Sequence, residues 1–193
     1  MILSDRDIKE AIKKGKIKIT PPIDYRTQLG SCSIDLRLGN VFRVFNHSKC
    51  AYIDPRNKKL NQNLTKKVEV EKGEPFIMQP GEFVLAMTLE KIELGDDLLG
   101  RLEGRSSLGR LGIAIHSTAA VFDPGWRGKV VMELGNFGKM PVALYPGMRI
   151  CSLTFERLTS PAEVPYYKKK GAKYIDQKEP LPSKLGEELG KKI

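Results

Sequence analysis

The chain has 193 residues, 40% hydrophobic and 29% charged, which is enough for one sizeable core and argues against a second domain. No apolar run is long enough to span a bilayer, and the N-terminus lacks the apolar stretch of a signal peptide, so no membrane association and a cytoplasmic location are expected. Thirty-three basic residues against 23 acidic ones leave a net charge of +10, which attracts nucleic acid, anionic membrane or phosphorylated small molecules. No aromatic-interleaved basic stripe or helix-turn-helix pattern stands out. The charge therefore points to a polyphosphate ligand rather than nucleic acid, with a generally solvated surface as the plain alternative.

The first element is a helix. Ser4 suits an N-cap, Asp5 and Asp7 suit the first turn, Ile8, Ala11 and Ile12 form an apolar stripe, and Gly15 is a natural stop. Beyond it the pattern changes to strands, predicted at 17–19, 33–38, 41–45, 68–70, 75–78, 83–89 and 98–103. Further strands are predicted at 114–117, 130–134, 142–145 and 150–157. Turn signals separate them at Pro80-Gly81, Asp123-Pro124-Gly125 and Pro146-Gly147. Many short strands at close spacing predict a mainly β sandwich or jelly roll, not a parallel α/β sheet. Residues 50–72 carry no recognisable motif. Residues 1–165 read as the β domain. From Tyr166 the chain is polar, with eight lysines and four acids, which is the composition of a mobile tail. Yet Tyr166, Lys173, Tyr174 and Gln177 mix rings, cations and an amide, as a segment ordering over a nucleotide would. The residues after about Ser183 are expected to be disordered.

The densest chemistry lies at 104–112, GRSSLGRLG. Arg105 and Arg110 need anionic or polar partners, and guanidinium groups with the Ser106 and Ser107 hydroxyls can hold phosphate. The glycines let the backbone approach a ligand closely. A solvated turn is the competing reading. Downstream, one acid, Glu133, breaks the apolar run 130–134. Alternation puts it on the face of Val131, away from Val130, Met132 and Leu134. Glu133 is either a wet edge-strand glutamate or, with both faces covered, a partly buried carboxylate suited to proton transfer.

Several chemistries are excluded. There is no GxxxxGK[ST] loop and no HExxH helix. Zinc nucleobase deaminases need an H-x-E element with P-C-x-x-C, whereas this chain has only His47 and His116, and Cys32, Cys50 and Cys151 lie far apart. An odd cysteine count also argues against a disulfide framework. Ser106, His116 and Asp123 can be drawn as a triad, but nothing in the sequence places them in contact.

The order of the motifs resembles the dCTP deaminase family, within the trimeric dUTPase-like superfamily. The matching segments are MILSDRDI at 1–8, SIDLRLGN at 33–40, GRSSLGRLG at 104–112 and DPGWRG at 123–128. They continue with VVMELGN at 130–136, PGMRI at 146–150 and AKYIDQK at 172–178. The resemblance implies a distorted jelly roll of the dUTPase-like β-clip type, assembled as a homotrimer with sites between subunits. It implies zinc-independent deamination of dCTP to dUTP and ammonia, with Glu133 carrying protons. Ser106, Arg110 and the backbone near Ala119 would hold the water and Glu133. Arg105, Ser106, Ser107 and Lys173 would contact a triphosphate that carries its own Mg²⁺, with Leu108 and Gly109 completing that turn.

Further roles follow from the same resemblance. Asp123 would accept the sugar 3′-hydroxyl, and Val131 and Met132 would offer backbone to the base edge. Trp126 would pack on the sugar, although a core indole is an equal reading. Tyr166, Lys173 and Gln177 would close over the nucleotide, and dTTP would act as a feedback inhibitor. Some members of the family also cleave the triphosphate and form dUMP and diphosphate; Asp123 would activate the second water there, but the same aspartate occurs in members that only deaminate. A pure dUTPase fits less well, because Glu133 occupies a position that is apolar in that branch. A non-enzymatic nucleotide or nucleic-acid binding module would account for the charge but leave Glu133 without a purpose.

Overall fold

The computed structural model describes residues 1–46, 48, 52–56 and 64–189. His47 and Cys50 fall outside the described residues, as does much of the motif-free stretch 50–72.

Helix α1 (Asp5–Lys13) forms where the capping signals place it, with the Ser4 hydroxyl accepting from the Asp7 amide at 3.4 Å. Its Ile8 and Ala11 are buried against Ile17 at the start of β1 (Ile17–Thr20). Fully burying one such aliphatic side chain contributes about 1.5–3 kcal/mol.

The remaining strands are β2 (Ser33–Phe45), β3 (Thr65–Glu69), β4 (Phe76–Met78), β5 (Phe83–Leu94) and β6 (Leu98–Gly104). After a single helical turn, α2 (Ser106–Gly109), come β7 (Ile113–Ala114), β8 (Val121–Phe122), β9 (Arg127–Asn136), β10 (Val142–Leu144) and β11 (Arg149–Arg157). A curled nine-stranded sheet runs β7-β9-β5-β2-β11-β6-β8, with β1 on β5 and β3 on β2, and β10 and β4 pair separately. All the pairings are antiparallel. The mainly β, jelly-roll-like architecture expected from the strand spacing is the one observed.

Strand β8 has no counterpart in the sequence expectation, β3 and β9 begin earlier than 68 and 130, and three further differences have identifiable reasons. The predicted strands 33–38 and 41–45 are one strand: β2 passes Gly39 through an irregularity in its pairing with β5 between Leu38 and Phe42. A Cβ at Gly39 would stand 3.0 Å from the Met87 carbonyl, so glycine permits this close approach. Strand β5 continues past Leu89 because Glu90, although fully buried, is hydrogen-bonded by Gln28 and Arg37. Strand β7 ends at Ala114 rather than near Ser117, because the Ser117 amide leaves the ladder to bind a carboxylate.

The tail differs as well. Residues after Ser183 were expected to be disordered, yet a short helix, α3 (Leu185–Leu189), follows it and buries Gly186. The tail is fastened along its length. The Asp176 amide donates to the Arg127 carbonyl at 2.8 Å, the Lys129 amide donates to the Gln177 carbonyl at 3.1 Å, and the Arg43 Nε donates to the Pro180 carbonyl. Composition alone misses these ties because each is a main-chain acceptor, available from any residue type. Among the described residues, no helix is long and apolar enough to cross a membrane.

Candidate active site

A cavity of about 470 Å³ opens on the outer face of β9, β5 and β2. Its floor follows from strand alternation. On β9, Val131 and Glu133 face the cavity, while Val130, Met132 and Leu134 are fully buried in the core. Leu85 lies opposite Glu133 in the β5 ladder, Phe83 lies two residues along, and Phe45 of β2 meets Phe83 at a ring-centroid distance of 5.7 Å.

One wall is the segment 116–126, which brings His116, Ala119, Val121, Phe122, Asp123 and Trp126 to the cavity. The Asp123-Pro124-Gly125 turn is closed by a hydrogen bond from the Trp126 amide to the Asp123 carbonyl at 3.0 Å. Gly125 sits at φ +75°, where a Cβ would approach Pro165 to 2.7 Å and Tyr167 to 2.8 Å. Trp126 is buried and packs edge-on to Phe122 at 4.6 Å, so its indole belongs to the core and to the cavity lining at once. The Asp123 carboxylate lies 3.6 Å from Lys169 Nζ.

The opposite wall is the tail, with Tyr166, Tyr174, Gln177, Leu181 and Ser183. The Tyr166 hydroxyl accepts from the Tyr174 amide at 3.3 Å, and Gln177 is buried with its side-chain amide donating to the Tyr174 carbonyl.

The half-buried Glu133 carboxylate is held at a single oxygen. Its Oε2 accepts from the Ser117 amide at 3.0 Å and the Thr118 amide at 3.1 Å. Two converging main-chain donors fix that oxygen in place. Among the described residues no hydrogen bond is made to the other oxygen, and the side chain lines the cavity.

The outer edge of β9 has an opening beside this carboxylate. Strand β7 pairs it at Gly135 and Asn136, and the tail pairs it at Lys129. Because Lys129 donates outward to the tail and Val130 donates inward to Thr88 Oγ1, alternation turns the peptide groups of Val131 and Glu133 outward. The same alternation turns the peptide of Met132 toward β5, and its side chain is fully buried.

The residues of 105–110 stand elsewhere. None of Arg105, Ser106, Ser107, Leu108, Gly109 and Arg110 lines this cavity. Arg105 lies 3.1 Å from Asp35 and donates to the Arg149 carbonyl at 2.9 Å; Leu108 is buried; Ser106, Ser107, Gly109 and Arg110 are exposed. Lys173 does not line the cavity either. It hydrogen-bonds Glu188, which raises its pKa above the ordinary lysine value. His116 and Asp123 share the cavity without Ser106, so the three do not assemble as a triad around it.

Sequence reasoning did not assign Phe45, Phe83, Leu85, Leu181 or Ser183 to the site, nor the amides of Ser117 and Thr118. For Phe83 and Leu85 the signal was present as two-residue spacing on the strand that pairs with β9. For the amides there was none, since any residue type supplies one. Among the described residues, no group of three or more His, Cys, Asp or Glu side chains is placed to hold a metal ion.

Residues 2–158 match the family model described as dCTP deaminase-like. The chain is 64% identical over 98% of its length, and 96% of the relative's, to a protein of Thermomicrobium roseum named dCTP deaminase. It is 53% identical over its full length, and 98% of the relative's, to a protein of Dictyoglomus thermophilum named dCTP deaminase, dUMP-forming. Among solved structures, a 2′-deoxycytidine 5′-triphosphate deaminase from Agrobacterium tumefaciens superposes with a TM-score of 0.63 at 23% identity, covering 81% of this chain and 48% of that one. That likeness concerns the fold. The family match and the high identity over nearly the whole chain establish that it belongs to the dCTP deaminase family of enzymes.

Proposed function

We propose that the protein hydrolyses dCTP twice, removing the 4-amino group and then diphosphate, to give ammonia, diphosphate and dUMP. The observation that carries this reading is one cavity holding two separate carboxylates, Glu133 on the strand floor and Asp123 on the turn wall. The simpler expectation, dCTP to dUTP and ammonia, uses only the first for chemistry and leaves Asp123 the sugar 3′-hydroxyl alone. The relatives from Dictyoglomus thermophilum, Dictyoglomus turgidum and Mycolicibacterium vanbaalenii, which are 50–54% identical, are all named dUMP-forming.

The cytosine lies against the outer edge of β9, its polar edge read by the outward peptide groups of Val131 and Glu133. Glu133 takes a proton from a water whose oxygen bonds to C4, and passes that proton to N3. It then moves the hydroxyl proton to the amine, the C4–N bond breaks, and ammonia leaves. Asp123 accepts the sugar 3′-hydroxyl and draws a proton from a second water that attacks the α-phosphorus as diphosphate departs. Trp126 and Tyr166 flank the sugar, and Gln177 closes the end of the site.

Mg²⁺ arrives on the triphosphate as part of the substrate, held by phosphate oxygens. Arg105, Ser106, Ser107, Arg110 and Lys173 are the expected triphosphate ligands. In a homotrimer with sites between subunits, the segment 105–110 of an adjacent copy would reach the cavity. Lys173 would have to release Glu188 to reach it. dTTP, which shares the deoxyribose and triphosphate, is the expected feedback inhibitor, and the cytoplasm the expected location.

The test is to incubate the protein with dCTP and Mg²⁺ and to follow ammonia, diphosphate and the nucleotide together. Ammonia and diphosphate appearing with dUMP is the expected result. Ammonia with accumulating dUTP would favour the single deamination, in keeping with the plain name of the Thermomicrobium relative. Neither product would refute both.

A further inference from the structure

On β2, alternation gives the core Ile34, Leu36 and Leu38 and leaves Ser33, Asp35 and Arg37 on the opposite face. Asp35 is directly opposite Ser152 of β11, and Ser152 is directly opposite Glu103 of β6, one residue before that strand ends at Gly104. Arg105 therefore leaves β6 one strand away from β11 and two from β2. Its side chain returns across both. Nε lies 3.1 Å from Asp35 Oδ2, and Nη1 donates to the Arg149 carbonyl at 2.9 Å. The Asp35 carboxylate is itself fixed, by Ser152 Oγ on Oδ1 and Arg149 Nη1 on Oδ2 at 3.2 Å. The Asp35 and Arg105 side chains are 17% and 24% exposed, well below a surface ion pair, and the buried Cys151 lies in the same ladder. The neighbouring Glu90, Arg37 and Gln28 continue this polar face to β5.

A guanidinium engaged on two sides in this way is held in one orientation at the entrance of the turn. The residues after it contrast sharply. Ser106, Ser107, Gly109 and Arg110 are exposed, and the turn they form is pinned at its far side by buried Leu108. We propose that Asp35 is the positioning residue of the phosphate-binding turn. By fixing Arg105 at the turn's entrance, it sets the open Ser106–Gly109 backbone and Arg110 for polyphosphate. This rests on the reading that segment 105–110 receives the triphosphate.

The variant to measure is Asp35→Asn, which keeps shape and removes the charge, with Ser152→Ala as the companion that loosens Asp35 without touching Arg105. Steady-state kinetics with dCTP, inhibition by inorganic triphosphate and thermal melting are read together. Asp35→Asn should raise the KM for dCTP and the inhibition constant of triphosphate by about tenfold or more, with kcat within about twofold. Ser152→Ala should lower the melting temperature with a much smaller rise in KM. A KM and triphosphate constant unchanged in Asp35→Asn, in an enzyme whose wild type turns over dCTP, would overturn the positioning role alone. A wild type that does not turn over dCTP would remove the functional reading on which it stands. Should Asp35→Asn fail to fold, Asp35→Glu keeps the charge but displaces it from Arg105 by the added methylene. The same rise in KM supports the proposal and an unchanged KM overturns it.

Discussion

Glu133→Gln isolates proton transfer from binding. The amide is nearly isosteric, and its oxygen can still accept from the Ser117 and Thr118 amides, now at 3.0 and 3.1 Å from a carboxylate oxygen. What weakens is the charge assistance to two half-exposed hydrogen bonds, a loss of about 1–2 kcal/mol in total. The fold and nucleotide affinity should therefore survive. What disappears is the group that accepts and returns protons. General acid–base catalysis contributes about 10²–10⁴-fold, so kcat for ammonia release should fall by that factor, equivalent to about 3–5 kcal/mol in the barrier. The dissociation constant for dCTP, measured by calorimetry with the inactive variant, should stay within about fivefold, a shift of under about 1 kcal/mol. Cleavage of dUTP to dUMP, which is assigned to Asp123, should fall far less than deamination. A Glu133→Gln enzyme that releases ammonia within about tenfold of the wild type would refute the reasoning.

Three further outcomes follow from local geometry. Gly125→Ala should lower unfolding stability in urea by at least about 2 kcal/mol, since φ is +75° and the new methyl would meet Pro165 at 2.7 Å. Gly147→Ala, at φ +89° with nothing within 4 Å, carries the strain without the clash, and an equal loss in both would count against the clash. Trp126→Ala should cost about 3–5 kcal/mol from a buried indole stacked edge-on with Phe122, and should narrow the preference for dCTP over CTP; unchanged selectivity would remove the sugar contact. Burial pushes the Cys151 thiol far above its ordinary value of 9.0, helped by the nearby Glu90 and Asp35 carboxylates. The unfolded chain therefore loses that proton first. Stability contributed by the protonated thiol is complete below pH 9.0 and declines as pH rises above it, by up to about 1.4 kcal/mol per unit. In urea melts between pH 8 and 10.5 the wild type should lose more stability with rising pH than Cys151→Ala, and parallel curves would contradict the burial argument.

How far the sequence reveals this molecule depends on the range of the signal. Alternation within 130–134 placed Glu133 with Val131 on one face and Met132 and Leu134 on the other, and the structure keeps that division. The helix announced by Ser4 and Gly15, and the turn at Asp123-Pro124-Gly125, were legible because their signals lie within a few residues. Long-range ties were not. Nothing local says that Arg105 reaches Asp35, that Lys173 meets Glu188, or that the tail lends a carbonyl to Lys129. Polar composition after Tyr166 suggested a free tail, because the acceptors that hold it are peptide carbonyls and carry no side-chain signature. Gly39 misled in the other direction. A glycine inside an apolar run reads as a break, whereas here it lets β2 pass close to Met87 without ending.

The register of β9 ties these parts together. On the same alternate residues it presents side chains to the cavity floor and peptide groups to the open edge. Val131 and Glu133 thus face outward twice, to the cavity by side chain and to the open edge by main chain. A one-residue slip against β5 would exchange every such position. Glu133 would enter the core now filled by Val130, Met132 and Leu134, and Met132 would face the cavity. An unpaired carboxylate there would face a desolvation cost of several kcal/mol, while an apolar side chain would gain water contact, so both terms oppose the slip. The pattern that keeps the sheet in register is therefore the pattern that aims the carboxylate. Thr88 adds a side-chain bond to the Val130 amide at 3.0 Å, just where β5 departs from regular pairing. The buried core and the placement of Glu133 in the cavity thus depend on the same five residues, Val130 to Leu134.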